Sequence, residues 1–525
     1  MNQINIDRVF AQAEHAADAG HWASARTGYL QVLAEDPGHA DAMLQLSYVE
    51  SFAGNHRIAH DWAMRAASST PPRRPESRME MVRRLRTFHA AHALKVFAED
   101  VLCHQPGQVL VLVEAARQLS NLNVFDTALR CAELALSQAP NDLSARLVHG
   151  QLLAHHGDNA AAEAEIESVL KRNPNIAIGW WMLARLRRQT PESNHVARIR
   201  QFLRLPGLRP DDIAAAARAL HKELDDLGDY EAAWQALETM CRARRVGMRY
   251  TTDSSRKLVD ALLRWSKGRG PVAGASVVAA VEPTPVFIVG MHRSGTTLLE
   301  QLLSGNPQVR GLGELNDFSA AMRLATDHAS KDVLDHTMVE RAATVDFESV
   351  GRCYRDAVAW RLEGAACFTD KQPANFLNIG FILSALPDAR VLHLVRDPVE
   401  TCFSNLRELY SGINPFSYDQ RELAAYFGQY LRLMRHWHTV FPGRILDVPY
   451  AGLTGDTQAT MGKVAAYCGI EYLPGMSDPR SKARAVSTAS SVQVRDRIVR
   501  EETPKWKHYE RHLQPLLQGL GKAIE

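Results

Sequence analysis

The spacing of apolar residues along the chain changes near residue 266. Before that point, apolar and aromatic side chains such as Tyr29, Trp62 and Trp180 recur at helical spacing, which predicts that they belong to a helical core. After it, short apolar runs at 286–290, 368–370, 390–395 and 445–448 alternate with segments of helical spacing. Such alternation predicts a mostly parallel sheet with helices on both faces.

Proline punctuates the first half at a constant interval. Separations of 34, 35, 34 and 34 residues divide Pro37, Pro71, Pro106, Pro140 and Pro174. A residue that tolerates a left-handed turn lies 17 positions before four of them: Gly20, Gly54, Asn123 and Gly157. A small residue lies 12 positions before the same four: Ala25, Ala59, Ala128 and Ala162.

This period predicts a helix–turn–helix unit in which Gly or Asn ends the first helix, Ala permits close packing and Pro ends the second helix. Period and pattern resemble tetratricopeptide repeats. The third unit is degenerate, with His89 and Leu94 at the turn and small positions, and the period is lost between residues 190 and 210. A further unit is expected around Gly228 and Ala233.

The predicted organisation is therefore an N-terminal all-α, tetratricopeptide-like solenoid followed by a phosphate-loop-type α/β domain with a mostly parallel sheet. We place the repeats at 1–265, a linker rich in Gly, Pro, Ala and Val at 266–285 and the second domain at 286–525. The concave face of such arrays commonly holds peptides or proteins, so a protein partner of the repeats is one expectation.

Charge and cysteine content narrow the class of protein. Lys and Arg number 61 against 59 Asp and Glu, so the basic excess typical of nucleic-acid-binding proteins is missing. Seven scattered cysteines without a Cys-x-x-Cys pair argue against a disulfide framework or a structural zinc site. The sequence has no apolar stretch long enough to span a bilayer. The residues after Met1 also lack the apolar region of a signal peptide. These features predict a soluble, cytoplasmic protein.

The first strand of the second half runs into Gly-Met-His-Arg-Ser-Gly-Thr-Thr at 290–297. This Gly-x4-Gly frame, between a strand and a helix, predicts an anion cradle. It is built from the following residues: Arg293, Ser294, Gly295, Thr296 and Thr297. Thr296 replaces the lysine that nucleoside triphosphatases place on the β- and γ-phosphates, so the cradle suits a single 5′-phosphate-like group without a metal ion.

A second anion contact is predicted where the strand at 390–395 ends. Arg396 lies at its carboxyl end, where open sheets bind ligands, and Ser404 lies about two helical turns further on. Together they suit a second phosphate. Asp397 is expected to be a helix N-cap, with Pro398 in the first turn and Glu400 completing a capping box.

These motifs carry a resemblance to a known family. The loop at 285–297 resembles the 5′-phosphosulfate loop of sulfotransferases, especially the tyrosylprotein branch, and Val395-Arg396-Asp397-Pro398 with Ser404 resembles their 3′-phosphate motif. The resemblance spans about 285–509, and repeats followed by such a domain resemble a bacterial class. It implies 3′-phosphoadenosine 5′-phosphosulfate as donor co-substrate, no metal, and in-line transfer to an acceptor hydroxyl.

The resemblance also implies roles for individual residues. Glu314, after a short second strand, matches the catalytic base, and Lys371 matches the lysine that stabilises charge on the bridging oxygen, a task shared by Arg293. The resemblance also implies that Tyr450 contacts adenine and that Ser490 and Arg495 contact phosphate. It further implies that the tail at 487–495 and 504–507 closes over the donor.

Several alternatives stay open from the sequence. His292 and His393 are other candidate bases, although His393 lies within a strand, where a buried structural histidine is commoner. A metal-dependent phosphate-loop kinase and an inactive nucleotide-binding scaffold compete with the transferase. The acceptor is a peptide tyrosine, a sugar hydroxyl or a small-molecule hydroxyl.

Overall fold

A computed structural model of the chain describes residues 3–72, 74–104, 108–268, 283–410, 414–480 and 503–524. Most of the predicted linker, together with Ser490 and Arg495, lies outside these ranges. The chain forms two compact units, one of residues 1–152, 316–331 and 341–360 and the other of 153–315, 332–340 and 361–525. These units divide the chain at points other than the predicted domain boundaries, which stay a prediction.

The described first half is helical throughout. Its helices are α1 (Gln3–Asp18), α2 (Trp22–Glu35), α3 (Ala40–Phe52), α4 (His56–Ser68), α5 (Pro75–Thr87), α6 (Ala91–His104), α7 (Val109–Asn121), α8 (Phe125–Gln138), α9 (Leu143–His156), α10 (Asn159–Arg172), α11 (Ala177–Arg185), α12 (Val196–Leu203), α13 (Pro210–Asp226), α14 (Tyr230–Arg245) and α15 (Thr252–Trp265). Successive helices pack as hairpins, for example α3 with α4 and α13 with α14.

The turns between paired helices adopt the left-handed conformation that the period predicts. Gly20, Gly54, Asn123, Gly157 and Gly228 all have positive φ, between 58° and 96°. His89, at the degenerate third turn, has a φ of 55° and so keeps the same geometry without a glycine or asparagine. The expected small residues, with Leu94 in the third unit, are fully buried: Ala25, Ala59, Leu94, Ala128, Ala162 and Ala233. The repeat interpretation is confirmed, including the unit around Gly228.

The buried alanine positions of the repeats, where helices pack closely, lead to a testable prediction about the free energy of unfolding. Ala162→Leu should lower the free energy of unfolding by about 1–3 kcal/mol, because Ala162 is fully buried between helices and a larger side chain overpacks the site. Ala164→Leu, on the exposed side of the same helix α10, should change it by less than about 0.5 kcal/mol. Denaturant unfolding of both variants measures the difference, and equal losses would contradict the packing role.

The first compact unit contains segments from distant parts of the chain. Helices α17 (Asp317–Thr326) and α19 (Phe347–Ala359) join the N-terminal repeats within it. The backbone N–H of Arg57 donates to Asp327 at 2.7 Å, and the rings of His92 and Trp360 stack 5.3 Å apart. The repeat period gives no sign of this insertion, because the added segments begin at residue 316, far beyond residue 152 where the first part of the unit ends.

The second compact unit contains a five-stranded sheet in the order β2-β3-β1-β4-β5. Its strands are β1 (Thr284–Gly290), β2 (Val309–Gly311), β3 (Cys367–Asp370), β4 (Arg390–Val395) and β5 (Ile445–Pro449). Every pairing is parallel, so all five carboxyl ends meet at one edge. The predicted fold class, helical repeats followed by a parallel α/β domain, is confirmed.

Helices connect the strands, as parallel pairing requires. The remaining helices are α16 (Thr296–Leu303), α18 (His336–Arg341), α20 (Ile379–Ala385), α21 (Pro398–Leu406), α22 (Gln420–Val440), α23 (Tyr450–Gly455), α24 (Thr457–Cys468) and α25 (Gln514–Ile524), with 3₁₀ turns at Ala342–Thr344, Pro373–Leu377, Pro415–Tyr418, Pro474–Ser477 and Lys505–His512. Helices α16 and α24 cover one apolar face of the sheet. Among the described helices, none combines the length and hydrophobicity that crossing a bilayer requires.

Candidate functional site

The carboxyl edge of the sheet gathers most of the predicted site residues. Each strand is followed by part of the predicted site. Across the sheet, these parts are Glu314 after β2, Lys371 after β3, the loop at 290–297 after β1, Arg396 after β4 and Tyr450 after β5. Ligands of open parallel sheets bind at this edge. The topology therefore places these residues around one cleft, although they are spread over more than 150 positions.

The anion loop has the backbone geometry of a cradle. Gly290, Arg293 and Gly295 have φ values of 154°, 69° and 107°, and helix α16 begins directly afterwards at Thr296. The left-handed conformation of a non-glycine residue such as Arg293 is uncommon and concentrates at functional sites. Ser294 is buried, and its hydroxyl has no hydrogen-bond partner among the described residues. The loop thus combines a helix N-terminus with an unpartnered donor, which fits an anion.

Arg396 connects the loop to the adjacent strand ends. Its guanidinium lies 4.4 Å from the centroid of the Tyr450 ring and donates to the Arg293 carbonyl at 3.3 Å. It also donates to the Glu400 carboxylate at 3.0 Å. Asp397 caps α21 as predicted, accepting from the Glu400 backbone at 2.9 Å. The expected capping box does not form, because the Glu400 carboxylate accepts from Arg396 instead of from the backbone N–H of Asp397.

Ser404 lies next to the loop arginine. The Arg293 side chain donates from Nε to the Ser404 hydroxyl at 3.2 Å, and its Nη1 lies 4.0 Å from the Glu408 carboxylate. Because Arg396 contacts the Arg293 backbone, the structure brings Arg293, Arg396 and Ser404 together. The guanidinium groups of Arg293 and Arg396 and the hydroxyl of Ser404 can donate hydrogen bonds to phosphate groups.

Glu314 and Lys371 form an ion pair at the opposite side of the loop. The Lys371 ammonium donates to the Glu314 carboxylate at 2.5 Å, and Lys371 is fully buried while 40% of the Glu314 side chain is exposed. The Lys371 backbone N–H also bonds the carbonyl of Gly313 at 2.9 Å. An exposed carboxylate held by a buried cation is well placed to meet a substrate entering from solvent.

A buried glutamate fixes this pair in place. Glu300, on α16, accepts from the Gly313 backbone and from the Thr369 hydroxyl, both at 2.8 Å. It therefore ties the segment before Glu314 to the strand before Lys371. The sequence analysis missed Glu300, because its position within a regular helix gives no sign of a role at the sheet edge.

The two histidine alternatives differ in their surroundings. Burial lowers the pKa of His292 to about 4, with the Glu314 charge opposing this shift and the Lys371 charge adding to it. His292 is therefore neutral near pH 7 and a weaker base than an ordinary histidine. His393 lies within β4, buried and bonded to Tyr430 and Asp447, as a structural histidine is expected to be.

Two arginines from repeat-region helices add positive charge near the loop. Arg185 and Arg218 lie over the ring of Trp181, at 5.6 and 4.3 Å from its centroid. Burial lowers the pKa of Arg218 to about 10, opposed by the nearby Glu408 charge, so the group stays protonated at neutral pH. Nε and Nη1 of Arg218 have no partner among the described residues. The sequence analysis did not single out either arginine, since neither lies in one of its motifs.

Helix α21, which carries Ser404, is anchored to α13. Arg407 donates to Asp225 at 2.6 Å and to His221 at 2.8 Å. Tyr509, from the turn at Lys505–His512, donates to the same Asp225 at 2.5 Å. Tyr509 follows the stretch at 504–507 that resembles part of the donor-closing tail, whereas the predicted contacts Ser490 and Arg495 lie outside the described residues.

Part of the chain resembles a known protein family. Residues 285–474 match the model of the "Sulfotransferase family". An uncharacterized protein of Aquifex aeolicus (strain VF5) is 27% identical over 343 residues, which cover 62% of this chain and 43% of that relative. The chain thus spans less than half the length of the curated relative it matches.

Solved structures show weaker likeness. The sulfotransferase domain of the Synechococcus PCC 7002 olefin synthase is 19% identical, with 48% of this chain and 98% of that domain aligned at a TM-score of 0.32. The P58(IPK) TPR domain is 12% identical, with 69% of this chain and 97% of that domain aligned at a TM-score of 0.19. At such scores, the fold assignment rests on the topology of this chain itself.

The family match covers the anion loop, Glu314, Lys371 and Arg396, and it extends beyond the last strand and helix α24. Over residues 285–474, the chain is therefore similar to the sulfotransferase family.

Proposed function

We propose that this protein transfers a sulfuryl group from 3′-phosphoadenosine 5′-phosphosulfate to an acceptor hydroxyl. The observation that supports this most is the arrangement at the sheet edge, where an anion loop lies between the Glu314–Lys371 pair and the Arg396–Tyr450 pair. Such a site offers phosphate contacts, an aromatic ring and a carboxylate within one cleft.

The donor-binding half of the proposal rests on the loop and the β4 end. The N–H groups at the start of α16 and the Ser294 hydroxyl suit the 5′-phosphate, and Arg396 with Ser404 suits the 3′-phosphate. Tyr450 offers a ring for adenine. Glu400 and Glu408 lie near Arg396 and Arg293, so a bound donor must compete with these carboxylates for the two arginines.

A close backbone approach makes the loop sensitive to one methyl group. A Cβ on Gly295 would lie 2.5 Å from the Tyr450 ring, and the φ of 107° disfavours any other residue. Gly295→Ala should therefore weaken binding of 3′-phosphoadenosine 5′-phosphate by about 5–150-fold, since strain of this kind costs roughly 1–3 kcal/mol. Calorimetric titration measures the effect.

Gly443→Ala is the matched control for this variant. Gly443 also has a positive φ, 74°, but a Cβ there would meet open space. Its substitution should leave nucleotide affinity unchanged. Equal affinities for the two variants would contradict the contact between Gly295 and Tyr450.

The chemical half of the proposal rests on Glu314 and Lys371. As the acceptor oxygen bonds to sulfur, the Glu314 carboxylate takes the hydroxyl proton. The bond between sulfur and the 5′-phosphate oxygen breaks, and 3′-phosphoadenosine 5′-phosphate leaves with the electron pair. Lys371 and Arg293 supply positive charge where negative charge develops on that bridging oxygen. Protons and charge balance without a metal ion in this scheme.

The acceptor is the less defined part of the proposal. A peptide tyrosine follows from the resemblance to the tyrosylprotein branch, and a small-molecule hydroxyl is the alternative. Product formation tests both: the full chain with donor, excess EDTA and a panel of tyrosine peptides, phenols and sugars should release 3′-phosphoadenosine 5′-phosphate in an acceptor-dependent manner. Tight donor binding with no turnover across the panel would instead favour the inactive scaffold.

One structural feature bears on the kinase alternative. Asp370, the last residue of β3, is fully buried beside β1, where a phosphate-loop kinase places the acid that helps hold Mg²⁺. The lysine that such a kinase needs in its loop is replaced by Thr296. Turnover of ATP that requires Mg²⁺ would favour the kinase over the transferase.

A further inference from the structure

Three potential metal ligands meet on the sheet at β4 and β5. His393 lies on β4, Asp447 is its direct register partner on β5, and His438 lies in the last turn of α22. One ligand atom from each falls within 4.8 Å of the others. Both histidines contact the same carboxylate oxygen of Asp447, His393 through Nδ1 at 2.7 Å and His438 through Nε2 at 3.0 Å.

From this geometry we propose that His393, His438 and Asp447 bind a divalent transition metal ion of the zinc class. Two imidazoles and one carboxylate are a ligand set that zinc-class ions use in proteins. The scattered cysteines argue against a zinc site built from thiolates, but they do not bear on this one, which contains no sulfur.

The spacing of the three groups is close to what such an ion needs. Bonds of about 2.0–2.1 Å in a tetrahedral site separate neighbouring ligand atoms by roughly 3.3 Å. The two separations from Asp447, 2.7 and 3.0 Å, are shorter than this by about 0.6 and 0.3 Å, so the carboxylate must move outward by about that much. Asp447 can do this, because 51% of its side chain is exposed. Its exposure, with that of His438, also gives the ion an entry path and a water ligand at the fourth position.

The buried ligand has the outer hydrogen bond that metal-binding histidines usually make. The Nε2 atom of His393 bonds the hydroxyl of Tyr430 on α22, leaving Nδ1 directed towards the cluster. Such outer partners fix the ring orientation and the tautomer. The phenol oxygen can accept as well as donate, so Nε2–H can donate to it when Nδ1 holds the ion.

The same tyrosine connects the cluster to the anion loop. The Met291 backbone, one residue after Gly290, also hydrogen-bonds the Tyr430 hydroxyl. A bound ion would join β4, β5 and α22 and would hold Tyr430 beneath the loop. Its role here is structural, since none of the three ligands belongs to the residues assigned to donor binding or proton transfer.

Calorimetric titration of the chelator-treated full chain with ZnCl₂ tests this site. Wild-type protein should bind one zinc ion, and His438→Ala should weaken binding by at least about tenfold. Asp447→Asn, which keeps the side-chain shape, should do the same. Tyr430→Phe should keep the stoichiometry and weaken affinity by about 10–100-fold, as loss of an outer partner does.

His436→Ala is the matched control, because His436 lies on the same helix but bonds Ser266 instead of Asp447. It should bind zinc as the wild type does. Substitution with Co²⁺ should give the strong visible absorption of a four-coordinate site without a thiolate charge-transfer band. Zinc affinity unchanged by both His438→Ala and Asp447→Asn, no zinc binding by the wild type, or a thiolate band would overturn the proposal.

Discussion

Glu314→Gln is expected to lower kcat for sulfuryl transfer by about 10²–10⁴-fold while leaving the Kd of 3′-phosphoadenosine 5′-phosphate nearly unchanged. The reason is that Gln keeps the size of the side chain and an acceptor for Lys371 but has no basic carboxylate to take the hydroxyl proton. Single-turnover measurements of product, together with calorimetric titration of the nucleotide, separate the two quantities.

Gln is a better substitution here than Ala. Lys371 is fully buried and donates to Glu314, so Ala would leave the buried ammonium without the hydrogen-bond acceptor that Gln retains. Glu363→Gln serves as control, because Glu363 is exposed and pairs with Arg310. If Glu314→Gln reduced transfer and nucleotide affinity by the same factor, the catalytic assignment of Glu314 would be wrong.

Arg396→Ala should have the opposite signature, with a Kd for 3′-phosphoadenosine 5′-phosphate raised by about 10–150-fold. A hydrogen bond to a charged group contributes about 1.5–3 kcal/mol, which corresponds to that range. Arg396 also stacks on Tyr450, so its loss removes support from the ring assigned to adenine. Calorimetric titration with the nucleotide measures the change.

Two further variants make this second prediction specific. Arg396→Lys keeps the charge but loses the planar group that stacks and forms paired hydrogen bonds, so its affinity should lie between those of wild type and Arg396→Ala. Arg435→Ala removes an exposed arginine from α22 and should have no effect. An unchanged Kd for Arg396→Ala would remove Arg396 from the donor site.

The sequence predicts the parts of this protein that follow from local rules. The turns at Gly20 and Asn123 are readable because few residues accept a left-handed backbone. The loop at 290–297 and the helix cap at Asp397 have fixed spacing relative to a strand end, so their geometry follows from the motif. Lys371 follows β3 as expected, which allows it to meet Glu314.

Other features depend on contacts between distant segments. Glu300 accepts hydrogen bonds from Gly313 and Thr369, which lie in separate segments of the chain. No local sequence pattern predicts that these two segments are adjacent. The preference of Glu400 for Arg396 over the helix N-terminus is a competition between two partners that a capping motif alone cannot decide. The positions of Arg185 and Arg218 beside Trp181 likewise arise from packing between helices.

The compact units also depend on contacts between distant segments, which local sequence patterns do not predict. A change of apolar spacing marks residue 266, but the first compact unit combines the repeats with 316–331 and 341–360. Insertions of this kind keep ordinary helical spacing, so the sequence assigns them to the domain in which they occur. The cytoplasmic location and the donor contacts at Ser490 and Arg495 stay predictions from the sequence.

Calorimetric titration of the full chain with 3′-phosphoadenosine 5′-phosphate in excess EDTA, compared with ATP in the presence of Mg²⁺, tests the central claim most directly. The proposed donor site predicts metal-independent binding of the bisphosphate that is at least about tenfold tighter, a difference of about 1.4 kcal/mol. Binding of ATP with Mg²⁺ but not of the bisphosphate would contradict the sulfotransferase assignment and favour a kinase.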